Sequence, residues 1–203
     1  MLLGLYILII LFIPYILVTA LKGIPQGGDT MSPKTEKASV AEPLETISVF
    51  RSDTGEVTDM PFGEYLKGVV AAEMPASFHD EALKAQAVAA RSYTLTRMQG
   101  YKRDGTPAEH NGAMTCTDST HCKAWLSEET LRKQWGANYD TYWKKISDCV
   151  DATMGVVMTY NGNLVNAVFH STSSGTTENA KDVWGGNIPY LVSVQSAGEE
   201  LSP

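Results

Sequence analysis

Glu73 follows Val69-Val70-Ala71-Ala72 and precedes Met74-Pro75, so its neighbours along the chain are apolar. Desolvation raises the pKa of a carboxyl group, and the negative end of a helix dipole raises it further if the residue closes a helix. A carboxyl group kept protonated near neutral pH can serve as a general acid. The same spacing also suits a glutamate that turns to solvent at a helix end. Glu64 and Glu81 are further carboxylates, but nothing in their surroundings sets them apart from surface charges.

His110, Cys116, His121 and Cys122 place four nitrogen or sulfur donors within 13 residues. These are zinc-ligand types, and four protein ligands would close a tetrahedral site around a structural ion. A Cys116–Cys122 disulfide or two unreactive thiols fit the same spacing. Adjacent residues point to opposite faces of a strand, so joint ligation by His121 and Cys122 requires a turn. Cys149 stands apart and reads as a small core residue. Lys84 and Arg91 lie seven residues apart, on one helical face with Val88 between them. They form either a polar clamp for a substrate or a solvated face. His170 precedes Ser171–Gly175, a hydroxyl-rich loop that includes Ser173 and Ser174. The chain has no G-x-G-x-x-G, Walker loop, H-E-x-x-H or G-x-S-x-G, which removes nucleotide binding and the common zinc-peptidase and serine-hydrolase chemistries.

The elements that must position these residues are partly readable. Ile47–Phe50 and Glu56–Thr58 flank Asp53-Thr54-Gly55 and predict a strand, a turn and a strand. From Pro61 to Glu73 the apolar spacing of Tyr65, Leu66, Val69, Val70 and Ala72 predicts a helix. Pro75 disfavours helical geometry at Met74, so Glu73 closes it. A second helix is predicted from Phe78 to Met98, with Ser77 and Asp80 resembling a capping box and Gly100 beyond its end. Its many alanines imply close approach of a neighbour. A third helix is predicted over Tyr139–Thr153, and Val156–Tyr160 and Leu164–Phe169 flank the hairpin signal Asn161-Gly162. Helices followed by strands predict an α+β fold: one globular domain with an N-terminal helical half and antiparallel β-strands.

The composition divides the chain. Of 203 residues 43% are hydrophobic and 19% charged, with a net charge of −7, which excludes a disordered polar chain and a strongly basic nucleic-acid binder. Residues 1 to 21 carry no charged or histidine side chain. At about 1.5 Å per helical residue such a run spans about 30 Å, the hydrocarbon thickness of a bilayer. An uncleaved transmembrane anchor over 1–22 is expected. A cleaved signal peptide fits less well, because the run is long and no basic residue precedes it. Residues 23–45 have linker composition, and 46–203 form the globular part.

Two stretches carry a family resemblance. Glu64–Ser77 and Glu81–Tyr93, followed by Phe169–Asn179, Trp184 and Pro189-Tyr190-Leu191, resemble the signature of the stage II sporulation protein D family. The same domain occurs in amidase-enhancer proteins. The resemblance implies an exported lytic transglycosylase acting on peptidoglycan glycan strands during engulfment. It would be held at the cell membrane by the N-terminal helix, with its catalytic domain on the extracytoplasmic face and other engulfment cell-wall hydrolases as partners. It implies Glu73 as the catalytic acid, with Lys84, Arg91, His170, Ser173 and Ser174 along the sugar groove. It favours zinc at His110, Cys116, His121 and Cys122, because some family members bind zinc with this spacing. Tyr190 and Trp184 could stack on sugars or fill the core. Members usually run on well past the stretch matching Tyr190–Val194, so a C-terminally shortened domain is expected. The alternative to catalysis is a peptidoglycan-binding or amidase-enhancing module.

Overall fold

A computed structural model describes residues 44–198. The anchor expected over 1–22, and nearly all of the linker over 23–45, lie outside that range. Among the described residues no helix is long and apolar enough to cross a membrane. What is described is an α+β domain.

The chain opens with an antiparallel pair, β1 (Thr46–Arg51) and β2 (Glu56–Pro61), turned at Gly55 with φ 75°. Helix α1 (Phe62–Glu73) follows directly, and α2 (Asp80–Asp104) comes after a short turn. A two-residue strand β3 (Thr115–Cys116) pairs in parallel with β1, giving the sheet order β2-β1-β3. Then come α3 (Glu128–Trp135), α4 (Tyr139–Ala152), a small hairpin of β4 (Thr159–Tyr160) and β5 (Asn163–Leu164), and a short α5 (Ala180–Trp184).

The core lies where β1, α1, α2 and α4 meet. Ile47 and Val49 of β1 face Tyr65, Leu66, Val69 and Val70 of α1, with Leu83, Ala87 and Ala90 of α2 and Ile146, Cys149 and Val150 of α4. Each large apolar side chain buried there is worth about 1.5–3 kcal/mol. Of the α2 alanines, Ala87 and Ala90 are fully buried and let neighbours approach, whereas Ala82 and Ala89 are half-buried and Ala85 faces solvent. Cys149 is a core residue.

Local chemistry moves three expected boundaries. His79, not Ser77, caps α2: its Nδ1 accepts the Glu81 N–H at 3.2 Å. Gly100 lies inside that helix, which runs on to Asp104 and stops at Gly105, where φ is 90°. The expected long hairpin shrinks to two residues per strand around Asn161-Gly162, both at positive φ as a tight turn of this kind requires. The flanking backbone is diverted to α2 instead: Met158 N–H donates to Ser92 Oγ at 2.8 Å, and Thr96 Oγ1 donates to Val165 O at 2.8 Å. Helix α3 was not foreseen, although Ser127 caps it by accepting the Thr130 N–H.

Candidate functional site

Glu73 is the last residue of α1, and Met74 beyond it is extended at φ −141° and ψ 134°. It continues the apolar stripe of Leu66, Val69 and Val70, so the carboxylate emerges half-buried where that stripe leaves the core. Its Oε1 accepts the Ala124 N–H at 3.3 Å. The residue beside Ala124 is Lys123, whose Nζ lies 4.3 Å from the Tyr93 ring centre and 3.9 Å from that of Phe169. A cation over two aromatic faces is attracted by both. Burial pushes the Lys123 ammonium below its usual range, and the negative charge of Glu73 opposes that shift. A carboxylate and a cation therefore share one partly dry setting, built from the end of α1, the middle of α2, the segment after Cys122 and Phe169 in the irregular segment beyond β5.

The His/Cys cluster begins at the same segment. The donor atoms of His110, Cys116, His121 and Cys122 all lie within 4.8 Å of one another. His110 Nε2 is 3.1 Å from His121 Nδ1 and 3.2 Å from Cys122 Sγ. Cys116 Sγ and Cys122 Sγ are 3.5 and 3.8 Å from His121 Nδ1. Tetrahedral zinc, with Zn–N about 2.0–2.1 Å and Zn–S about 2.3 Å, needs donor–donor edges of roughly 3.3–3.8 Å; the donor types fit such an ion, and small side-chain shifts would bring their spacing into that range. All three cysteines are free thiols in this structure.

Each ligand position has a local cause. Cys116 is held by the pairing of β3 with β1. The turn that His121 and Cys122 need is present, because both of their N–H groups donate to Asp118 O, at 3.2 and 2.8 Å. Asp118 Oδ1 in turn accepts from Thr120 N and Oγ1 at 2.8 and 2.7 Å, which also holds its carboxyl below the usual range. His110 Nδ1 lies 3.1 Å from Ala113 O. A proton on Nδ1 satisfies that carbonyl and leaves Nε2 as the donor toward the cluster. Burial lowers the His110 pKa, favouring the neutral ring, and pushes the Cys116 thiol up to about 12. Helix α2 ties the two centres together. Arg97 lies over Tyr93 and Tyr101, and Tyr101 meets the His110 ring edge-on at 5.3 Å.

The remaining expected site residues are scattered. Arg91 is buried at 5% exposure and donates to Val150 O at 3.3 Å and Val156 O at 3.0 Å, with Thr153 Oγ1 at 3.5 Å. It ties down the C-terminal end of α4, where a cation also suits the helix dipole. Its side chain is thus occupied inside the domain and does not form a clamp with Lys84, which pairs with Glu81 at 2.7 Å. His170 and Ser174 are exposed, while Ser173 Oγ accepts the Gly175 N–H at 3.2 Å. Tyr190 is structural, since its hydroxyl accepts the Asn166 N–H at 3.0 Å and its ring meets Tyr160. Trp184 is 63% exposed. Lys123 and the Ala124 N–H carry no mark in the sequence, and Tyr93 and Phe169 stand there only as members of the family-like stretches, with no role of their own. The spacing of Tyr93, Arg97 and Tyr101, one helical turn apart each time, was the available signal.

Residues 51–160 match the family described as SpoIID: Stage II sporulation protein. The chain is 39% identical to Stage II sporulation protein D of Bacillus subtilis (strain 168), over 96% of this chain and 59% of that protein. It is 37% identical to Stage II sporulation protein D of Bacillus amyloliquefaciens, over 84% of this chain and 48% of the relative. It is 35% identical to the amidase enhancer of Bacillus subtilis (strain 168), over 63% of this chain and 14% of that protein. The chain thus spans about half the length of the sporulation relatives it matches.

Proposed function

The chain belongs to the SpoIID family of stage II sporulation proteins, and from that premise we propose that it is a lytic transglycosylase cleaving the β-1,4 bond between MurNAc and GlcNAc in peptidoglycan. The observation that carries the reading is the seating of Glu73. Its Oε1 is engaged by the Ala124 N–H, which leaves the other oxygen to pass a proton to a glycosidic oxygen. Protonation lets the leaving sugar depart through an oxocarbenium-like state. The 6-hydroxyl of the same muramyl residue then attacks C1, and Glu73 takes its proton, leaving a 1,6-anhydro end. A hydrolase of the usual kind needs a second carboxylate to activate water or form a covalent intermediate. The intramolecular attack needs only one.

Zinc is the ion we propose for His110 Nε2, Cys116 Sγ, His121 Nδ1 and Cys122 Sγ. With four protein ligands it would supply structural rigidity and no open catalytic position. Lys84, His170, Ser173 and Ser174 are proposed to line the glycan groove. The resemblance-based role of Arg91 in that groove finds no support in its buried setting. Residues 1–22 are proposed to anchor the protein to the cell membrane with the domain on the outer face, beside other cell-wall hydrolases of engulfment.

Glu73→Gln keeps the acceptor for Ala124 but removes the transferable proton. Glycan strands incubated with this variant should release no anhydro-muramyl ends above background while still binding it. Undiminished release would overturn the assignment. The similarity to an amidase enhancer supports a second reading, in which the domain binds glycan and stimulates a separate amidase. A purified wild-type chain that releases no sugar product but accelerates an amidase would favour it.

A further inference from the structure

Five consecutive residues run from the His/Cys cluster along α1, and each is held differently. Cys122 contributes its sulfur to the cluster. Lys123 lies against Tyr93 and Phe169. Ala124 N–H donates to Glu73 Oε1. Trp125 rests on α1 at Gly68 with its other side beneath Arg51, whose guanidinium carbon is 4.8 Å from the ring centre. Leu126 N–H donates to Gly68 O at 3.3 Å.

Gly68 is the unusual partner. It is buried in the middle of a helix, where glycine is less favourable than alanine by roughly 1 kcal/mol. A Cβ there would overlap the Trp125 ring, with Cδ1 only 2.7 Å and Cε2 only 2.9 Å away. Trp125 Nε1 is buried and has no hydrogen-bond partner among the described residues. Nothing polar, then, chooses this place for the ring. Its position comes from the shape of the seat at Gly68 and from the stacked arginine.

We propose that Lys123–Leu126 is a positioning strap for Glu73, anchored at one end by Cys122 and seated at the other by Gly68, whose missing side chain makes room for Trp125. The strap holds the Ala124 N–H on Glu73 and keeps the Lys123 charge beside it. Gly68 and Trp125 are positioning residues that touch neither substrate nor reacting atoms. The proposal rests on Glu73 being the acid, and it adds the device that aims it.

Gly68→Ala in the full chain tests it. Amide hydrogen exchange at 123–126 should accelerate by about 10- to 100-fold while the amides of α2 keep their protection. The kcat for anhydro-sugar release should fall about 10- to 100-fold with KM unchanged, the size of effect expected when a catalytic group is misplaced by about 1 Å. Trp125→Leu removes the ring that the new methyl meets, so the double variant should be no slower than Trp125→Leu alone. Unchanged exchange at 123–126 in Gly68→Ala, or additive losses in the double variant, overturns the strap. If Gly68→Ala also strips α2 of protection, Trp125→Leu empties the seat without overpacking it and carries the same expected and overturning exchange results. Glu73→Gln separates the two ideas: it loses cleavage while 123–126 stay protected. A wild-type chain without glycan cleavage removes the acid role of Glu73, and the exchange comparison still decides whether the strap exists.

Discussion

Glu73 and Arg91 show how far a single residue can be judged from its neighbours in sequence. Glu73 stands out in the sequence because apolar residues flank it and Pro75 ends its helix, and both causes are local. Its half-buried seat at the end of α1 follows from them. Arg91 offered no such signal. A lysine and an arginine seven residues apart on a helix share a face whether that face is wet or dry, and here the arginine turns inward while Lys84 pairs with Glu81 in solvent. The carbonyls of Val150 and Val156 that receive Arg91 are about 60 residues away. Arg91→Met should therefore lower the unfolding free energy by about 2–4 kcal/mol, because a charged donor is lost and buried acceptors are left unpaired. Chemical denaturation measures this, and a loss below about 0.5 kcal/mol would mean that those hydrogen bonds contribute nothing net. Lys123 was equally invisible, since its aromatic partners come from α2 and from Phe169, both distant along the chain.

At the scale of elements, strong periodicity and turn chemistry were legible, and weak or shared pairing was not. Helices α1 and α4 match their expected bounds to within a residue, and α2 is expected in place but runs on past Gly100 to Asp104, because apolar spacing marks a helix over many residues more firmly than a lone glycine marks its end. The two-residue strand β3 was missed, since so short a segment has no pattern of its own and exists only where β1 offers it an edge. The hairpin was foreseen at its turn and overextended in its arms. The turn depends on two residues with positive φ, whereas the arms compete for hydrogen bonds with Ser92 and Thr96 of α2. The alanines of α2 yield a direct test. Ala90 is fully buried among close-packed neighbours, so Ala90→Leu should cost about 1–3 kcal/mol by overpacking. A thermal melt unchanged by that substitution would show the packing to be looser than described.

For the whole molecule the decisive feature is that one segment serves two centres. The turn at Asp118–Cys122 completes the His/Cys cluster, and the residues after it reach Glu73. Zinc analysis of dialysed protein should find about one ion per chain, and a strong chelator should lower Tm, since a structural ion bound only by the folded state stabilises it by mass action. In the metal-free protein the buried Cys116 thiol, at about 12, stays protonated at neutral pH. Binding therefore releases protons, and zinc affinity should rise as pH increases from about 6 to 8. Isothermal titration in buffers of different ionisation enthalpy counts those protons; a pH-independent affinity would contradict thiolate ligation. The sequence by itself determined the three main helices, the tight turn at Asn161-Gly162, the four metal-ligand candidates and the kinship with sporulation proteins, because each is written in contiguous residues or short spacings. Tertiary structure alone decided that His121 and Cys122 can face one point, that Arg91 is a buried tie, and that Ala124 meets the end of α1 while Trp125 rests on its middle at Gly68. Those outcomes depend on which surfaces meet when the core of β1, α1, α2 and α4 closes, and that is a property of packing among distant segments rather than of any one of them.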